Sequence, residues 1–177
     1  MRFDAADILI LEAIQDNARA TLMELAERVG LSASSCQRRL QRLEQDGVVE
    51  RYTAVLDEAR LGYQSSVFVK VTLDAQTETA LQAFEAGAAE CPGVVDCFLL
   101  AGEADYLLRV VVRDMRDYER IHQRHLSRLP HVQRIQSNVA LRRVVHRTVP
   151  VPEAPPPGGA GRGGGHEGAK SGRGPHS

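Results

Sequence analysis

The chain has 177 residues, carries 22 Lys plus Arg against 23 Asp plus Glu, and has a formal net charge of −1. That length allows one large or two small cored domains, and the charge balance excludes a protein that coats nucleic acid or membrane through a global basic field. Three cysteines without metal-motif spacing, an acidic N-terminus and no apolar run near the length of a membrane span exclude a disulfide scaffold, a secretory leader and a membrane protein, and predict a soluble cytoplasmic one.

From Asp4 onward, Ile8, Leu11 and Ile14 recur at helical spacing, predicting a first helix that stops near Asn17. Thr21 and Glu24 fit a capping box, and Leu22, Leu25, Ala26 and Val29 continue as the apolar stripe of a second helix. Gly30 suits a chain reversal and Ser32 an N-cap. Cys36, Leu40 and Leu43 then line the inner side of a third helix. Ser35, Arg38, Arg39 and Arg42 fall on the side away from that stripe, with Gln37 and Gln41 flanking. Residues 32–43 contain three arginines and no acid, whereas the preceding helices carry Asp4, Asp7, Glu12, Asp16, Glu24 and Glu27. This outer face has the chemistry of a major-groove reader: arginine forks for guanine or phosphate, glutamine for adenine, small hydroxyls for close approach. A solvated helix face would have a similar composition, but three short helices with the Gly30 turn between the last two predict a helix-turn-helix. The candidate DNA-binding residues are Ser34, Ser35, Gln37, Arg38, Arg39 and Arg42.

After the helix stop at Asp46 and Gly47, residues 48–56 favour a strand. A lone strand leaving a helical domain has nothing to pair with there, so pairing with another copy or with the following region is expected. Residues 57–64 read as a hinge. From residue 65 the texture becomes strand, helix, strand, strand, helix, strand. Val67, Val69, Val71 and Leu73 alternate with polar or aromatic neighbours; Leu81, Phe84 and Ala88 mark a helix; residues 94–100 and 106–112 form a hairpin. Asp114 with Asp117 caps the next helix, and a last strand is expected over 132–145. This order predicts an α+β chain whose second domain is ferredoxin-like (βαββαβ), an antiparallel sheet with both helices on one face. Phe68, Phe98, Leu100 and Leu108 lie in strands with apolar residues on both sides, which predicts a dimer of stacked sheets.

The expected domains are therefore 1–50 (helix-turn-helix), 51–64 (connector strand and hinge), 65–147 (ferredoxin-like) and 148–177. In the last segment nine of thirty residues are glycine and six are proline, the composition of a disordered tail. His122 and His125 stand three apart on a helix, but the sequence places no third ligand, and nothing calls for a metal or cofactor.

Residues 29–54, Val-Gly-Leu-Ser-Ala-Ser-Ser-Cys-Gln-Arg-Arg-Leu-Gln-Arg-Leu-Glu-Gln-Asp-Gly-Val-Val-Glu-Arg-Tyr-Thr-Ala, followed by residues 102–108, Gly-Glu-Ala-Asp-Tyr-Leu-Leu, resemble the leucine-responsive regulatory protein and AsnC (Lrp/AsnC) family of transcriptional regulators. The resemblance implies a winged-type helix-turn-helix that binds double-stranded DNA, with its recognition helix over residues 34–45, and a second domain that dimerises. Such dimers assemble towards octamers with an amino-acid effector between them. It maps the effector loop onto Gly102, Glu103, Ala104, Asp105 and Tyr106, where the Asp105 carboxylate suits an ammonium and the backbone at Gly102 a carboxylate. Siroheme decarboxylases are similar to the same family, so an enzyme using His122, His125, His131 or Tyr106 is the competing expectation; no nucleophile with an adjacent base and no carboxylate pair supports it.

Overall fold

The computed structural model describes residues 2–152, which divide into two compact units: residues 2–52 with 148–152, and Thr53–Arg147. Of the segment 148–177, expected to be disordered, residues 148–152 belong to the first unit and 153–177 lie outside the described residues.

The first unit is built from α1 (Ala5–Asp16), α2 (Leu22–Val29) and α3 (Ala33–Gln45). Each helix starts on a side-chain cap. Asp4 and Asp7 form a reciprocal box at α1, Thr21 and Glu24 form another at α2, and Ser32 accepts from the Ser35 amide at α3. Gly30 closes α2 in the left-handed conformation at φ 69°, where a side chain would be strained. Ile10, Cys36 and Leu43 are wholly buried at the centre of the bundle, with Ile14, Leu25 and Val29 around them. At about 1.5 to 3 kcal/mol for each such side chain removed from water, this small core is what holds the three helices together. Residues from the far end of the chain join it: Val151 packs on the core and the Val149 carbonyl accepts a hydrogen bond from Gln15 at 3.0 Å.

Residues 48–56, expected as a strand, belong to no sheet in the single chain. A strand exists only through its ladder, and this stretch has none here. Val55 and Leu56 are consequently exposed. The stretch is pinned by the Tyr52 hydroxyl, which donates to Glu44 Oε1 at 2.7 Å. Burial and then the Glu44 carboxylate push the phenol up to about 12.

The second unit contains β1 (Ser65–Leu73), α4 (Glu78–Ala89), β2 (Val94–Leu99), β3 (Tyr106–Val112), α5 (Met115–Arg124), a 3-10 turn at Leu126–Arg128 and β4 (Val132–Ala140). Its sheet is antiparallel in the order β2-β3-β1-β4, the ferredoxin-like arrangement. Val67, Val69 and Val71, all fully buried, face Phe84, Ala88, Ile121 and Leu126 on the helix side. The strand pleat therefore sends Phe68 and Lys70 to the opposite side, where Phe68 lies across from Arg109 and Phe98 across from Leu107. Leu108 belongs to the helix side and is fully buried, so the open face is less apolar than the strand composition suggests. Phe68 and Phe98 are exposed on it, and Arg109, across from Phe68, is clamped by Asp96 at 2.6 Å and Glu58 at 2.9 Å. Cys36 and Cys91 are buried, one in each unit's core, whereas Cys97 on β2 is exposed.

Candidate nucleic-acid interface and ligand loop

The third helix presents the residues that the sequence singled out in two different ways. Ser34, Gln37, Arg38 and Gln41 are exposed and Ser35 is half-buried, while Cys36 and Leu43 seal the opposite side. Arg38 has no carboxylate partner among the described residues. Arg39 does not join it. Its guanidinium Nη1 donates to Asp4 Oδ2 at 2.7 Å and to Asp7 Oδ1 at 2.8 Å; its side chain is only 22% exposed, and its Nε–H is buried without a partner among the described residues. Arg42 is intermediate: Nη2 donates to Asp7 Oδ2 at 2.6 Å while the side chain stays 49% exposed. The expected stripe of three outward cations is thus one free arginine, one half-held and one turned onto α1.

The anchor is Asp7, which is 1% exposed. Its carboxylate accepts from two guanidinium groups and from the Asp4 amide at 3.2 Å, so a buried charge is paired and hydrogen-bonded as it must be. The amide of Asp7 and the guanidinium of Arg39 hold the Asp4 carboxyl below its ordinary value. The sequence carried part of this signal: Arg39 follows Cys36 by three residues and precedes Leu43 by four, so it shares their flank. The partner aspartates, more than thirty positions away, were not legible from helix periodicity.

In the second unit the hairpin link between β2 and β3 separates its five candidate residues. Gly102 and Glu103 are exposed and Ala104 is half-buried. Asp105 is 8% exposed, and its carboxylate accepts from the Leu73 amide at 2.7 Å and from Gln76 Nε2 at 2.6 Å. In the single chain Asp105 makes architectural contacts: it ties the end of β1 and the loop that follows to the hairpin. Tyr106 is also turned in. Its ring lies 4.5 Å from that of Phe84 and its hydroxyl donates to Glu85 Oε1 at 2.8 Å; burial, then that carboxylate, pushes the phenol well above its ordinary value. Gly102 is not in the left-handed region, and a Cβ there would meet nothing within 4 Å. Neither the turn nor a neighbour requires glycine there. Beside Glu103 and Ala104 lies a cleft of 30 Å³ lined by Lys70, Thr72, Arg134 and Gln136, about the share of one water molecule. These four residues were not singled out from the sequence; only the register of β1 against β4 brings Lys70 next to Gln136 and Thr72 next to Arg134.

Among the described residues no group of three or more His, Cys, Asp or Glu could hold a metal ion, and no helix is long and apolar enough to cross a membrane. Residues 3–50 match the family model described as winged helix-turn-helix DNA-binding, and residues 66–150 match the Lrp/AsnC ligand binding domain. The chain is 42% identical over 147 residues to the Bkd operon transcriptional regulator of Pseudomonas aeruginosa, a match covering 83% of this chain and 96% of that one. It is 39% identical over 147 residues to the proline dehydrogenase transcriptional activator of Rhodobacter capsulatus, with the same coverage of both chains. Among solved structures, a Neisseria meningitidis transcriptional regulator in complex with L-Met superposes with a TM-score of 0.79 at 37% identity, over 84% of this chain and 96% of that chain.

Proposed function

The chain belongs to the Lrp/AsnC family of transcriptional regulators, and from that premise we propose how its parts divide the work: α3 reads double-stranded DNA and the sheet unit senses an amino acid. It is a DNA-binding transcriptional regulator and not a decarboxylase-like enzyme. The observation that carries the DNA-reading proposal is the outer face of α3, where Ser34, Gln37, Arg38 and Gln41 stand in solvent on a helix whose inner side is sealed by Cys36 and Leu43. Arg38 supplies a fork for a guanine edge or a phosphate, the glutamines supply amides for adenine, and Ser34 permits close approach. Arg42 contributes the donors that Asp7 leaves unoccupied.

On the sensing side, Asp105 and Tyr106 hold the loop, and the groups free to meet an amino acid are Glu103 for its ammonium and Lys70 or Arg134 for its carboxylate. A 30 Å³ cleft is too small for that ligand in one chain, so a second copy completes the site. Stacking of the open sheet faces around Phe68 and Phe98, with the extended stretch around Val55 and Leu56 pairing between copies, gives the homodimer, and dimers assemble further towards an octamer in the cytoplasm. The L-Met bound to the Neisseria regulator supports an amino-acid effector of this kind.

The test has two arms. Selection of duplexes from a fragmented genome by the full chain should yield a preferred site, and Arg38→Ala should lose it while the circular dichroism spectrum is unchanged. A thermal-shift screen against the twenty amino acids should find at least one that raises the melting temperature, because a ligand bound only to the folded state stabilises it. A chain that selects no sequence would overturn the first arm, and a flat screen the second.

A further inference from the structure

We propose that Asp4 and Asp7, at the start of α1, set the ratio of specific to non-specific DNA binding by neutralising two of the three arginines on the recognition helix. The inference rests on α3 being the DNA-reading helix, as proposed above.

Residues 32–43 carry Arg38, Arg39 and Arg42 and no acid. Left alone, three guanidinium groups on one short helix would attract any phosphate backbone, since each phosphate neutralised releases counterions whatever the sequence. The fold brings two carboxylates to this face. Asp7 is buried and bridges Arg39 and Arg42 at 2.8 and 2.6 Å; Asp4 closes on Arg39 at 2.7 Å. One positive charge, that of Arg38, then remains uncompensated on the face. Asp4 and all three arginines line one open cleft of 360 Å³ with Gln41 and Gln45, so a carboxylate and base-reading amides border the same space.

The effect on DNA is twofold. Arg39 is largely committed: both carboxylates sit on Nη1 and the Nε–H is buried, so a two-point fork onto a phosphate requires giving up those bonds and only Nη2 is left to meet one. Arg42 is steered. With Nη2 occupied by Asp7, its remaining donors belong to a fork of fixed orientation, which favours an acceptor in one place over a diffuse phosphate field. The helix therefore binds DNA of the wrong sequence only weakly.

The experiment compares the full chain with Asp4→Asn and Asp7→Asn on two duplexes: one selected by the wild-type protein from a random pool, and one mixed-sequence duplex of equal length, each titrated across a salt series. Removing a carboxylate should tighten binding to the mixed-sequence duplex. It should also steepen its salt dependence by about one unit of slope for each additional phosphate that a released arginine neutralises. Discrimination between the duplexes should fall by roughly tenfold for Asp7→Asn, comparable to the cost of one mismatched base pair. Lost packing alone would weaken both duplexes together; only lost neutralisation strengthens the mixed one. Unchanged mixed-sequence affinity and slope in a folded Asp7→Asn would overturn the proposal. If Asp7→Asn is unfolded at the assay temperature, Asp4→Asn, whose carboxylate is exposed, decides by the same criterion. A wild-type protein that selects no sequence would instead sink the reading of α3 on which the inference stands.

Discussion

Asp7 and Asp105 are buried carboxylates, one in each unit, and they are satisfied by opposite means. Asp7 takes two guanidinium groups from α3; Asp105 takes a strand amide and a glutamine side chain and, among the described residues, no cation. The difference lies in what the partner can do next. A guanidinium can leave a carboxylate for a phosphate or a base edge, because those acceptors are chemically alike. The Leu73 amide cannot leave without unmaking the end of β1. One aspartate therefore holds partners that a DNA acceptor could compete for, and the other fixes the shape of a loop.

The contrast can be tested by removing each carboxylate. Asp7→Ala should cost about 3 kcal/mol in the unfolding of the helical unit, the low end for breaking a buried pair because Arg42 is half exposed. Asp105→Ala should cost about 2 kcal/mol, chiefly the buried Leu73 amide left without an acceptor. Denaturant titration measures both, and a larger loss at Asp105 would reverse the ranking. Next come the two neighbouring arginines. Arg39→Ala should lower stability by about 1 kcal/mol, whereas Arg38→Ala should leave stability within about 0.5 kcal/mol and appear only in DNA binding.

Acid should reach both units through depressed carboxyls. Asp4 is lowered by the Asp7 amide and then Arg39, and Glu58 by its hydrogen bond from Arg109. Folded values below the ordinary 3.8 and 4.5 mean that these contributions are complete at neutral pH and are lost as pH falls through the folded values. Asp4→Asn should therefore flatten the acid limb of the helical unit and Glu58→Gln that of the sheet unit, as read from circular dichroism against pH. The smallest effect is expected at Gly102→Ala, a change of less than about 0.5 kcal/mol in stability, since a methyl group there meets nothing. A reduced thermal shift with the effector would then report on ligand approach alone.

The fold was largely legible because its signals are local. Thr21 with Glu24, the turn at Gly30 and the alternation of Val67, Val69 and Val71 each act within a few residues, and each is where the sequence puts it. The last strand was overextended: β4 stops at Ala140 where the pairing with β1 ends at Ser66, although residues 141–145 remain strand-like in composition. The sites were less legible because they depend on distant partners. Three arginines on one helix look equivalent until Asp4 and Asp7 are folded against them. Asp105 looks available until the hairpin register turns it towards Leu73 and Gln76. Residues 48–56 have strand composition but no neighbouring strand in the single chain, and composition alone does not supply the partner.

The three thiols give this molecule built-in reporters of its own breathing. With Cys36 at 0% exposure inside the helical core, Cys91 at 5% inside the other and Cys97 outside, a thiol reagent reaches Cys97 without any opening and must wait for each interior to open before it reaches the other two. The order in which those masses appear would rank the opening free energies of the DNA-reading and ligand-sensing halves in one tube, with and without an effector, and no engineered label is needed.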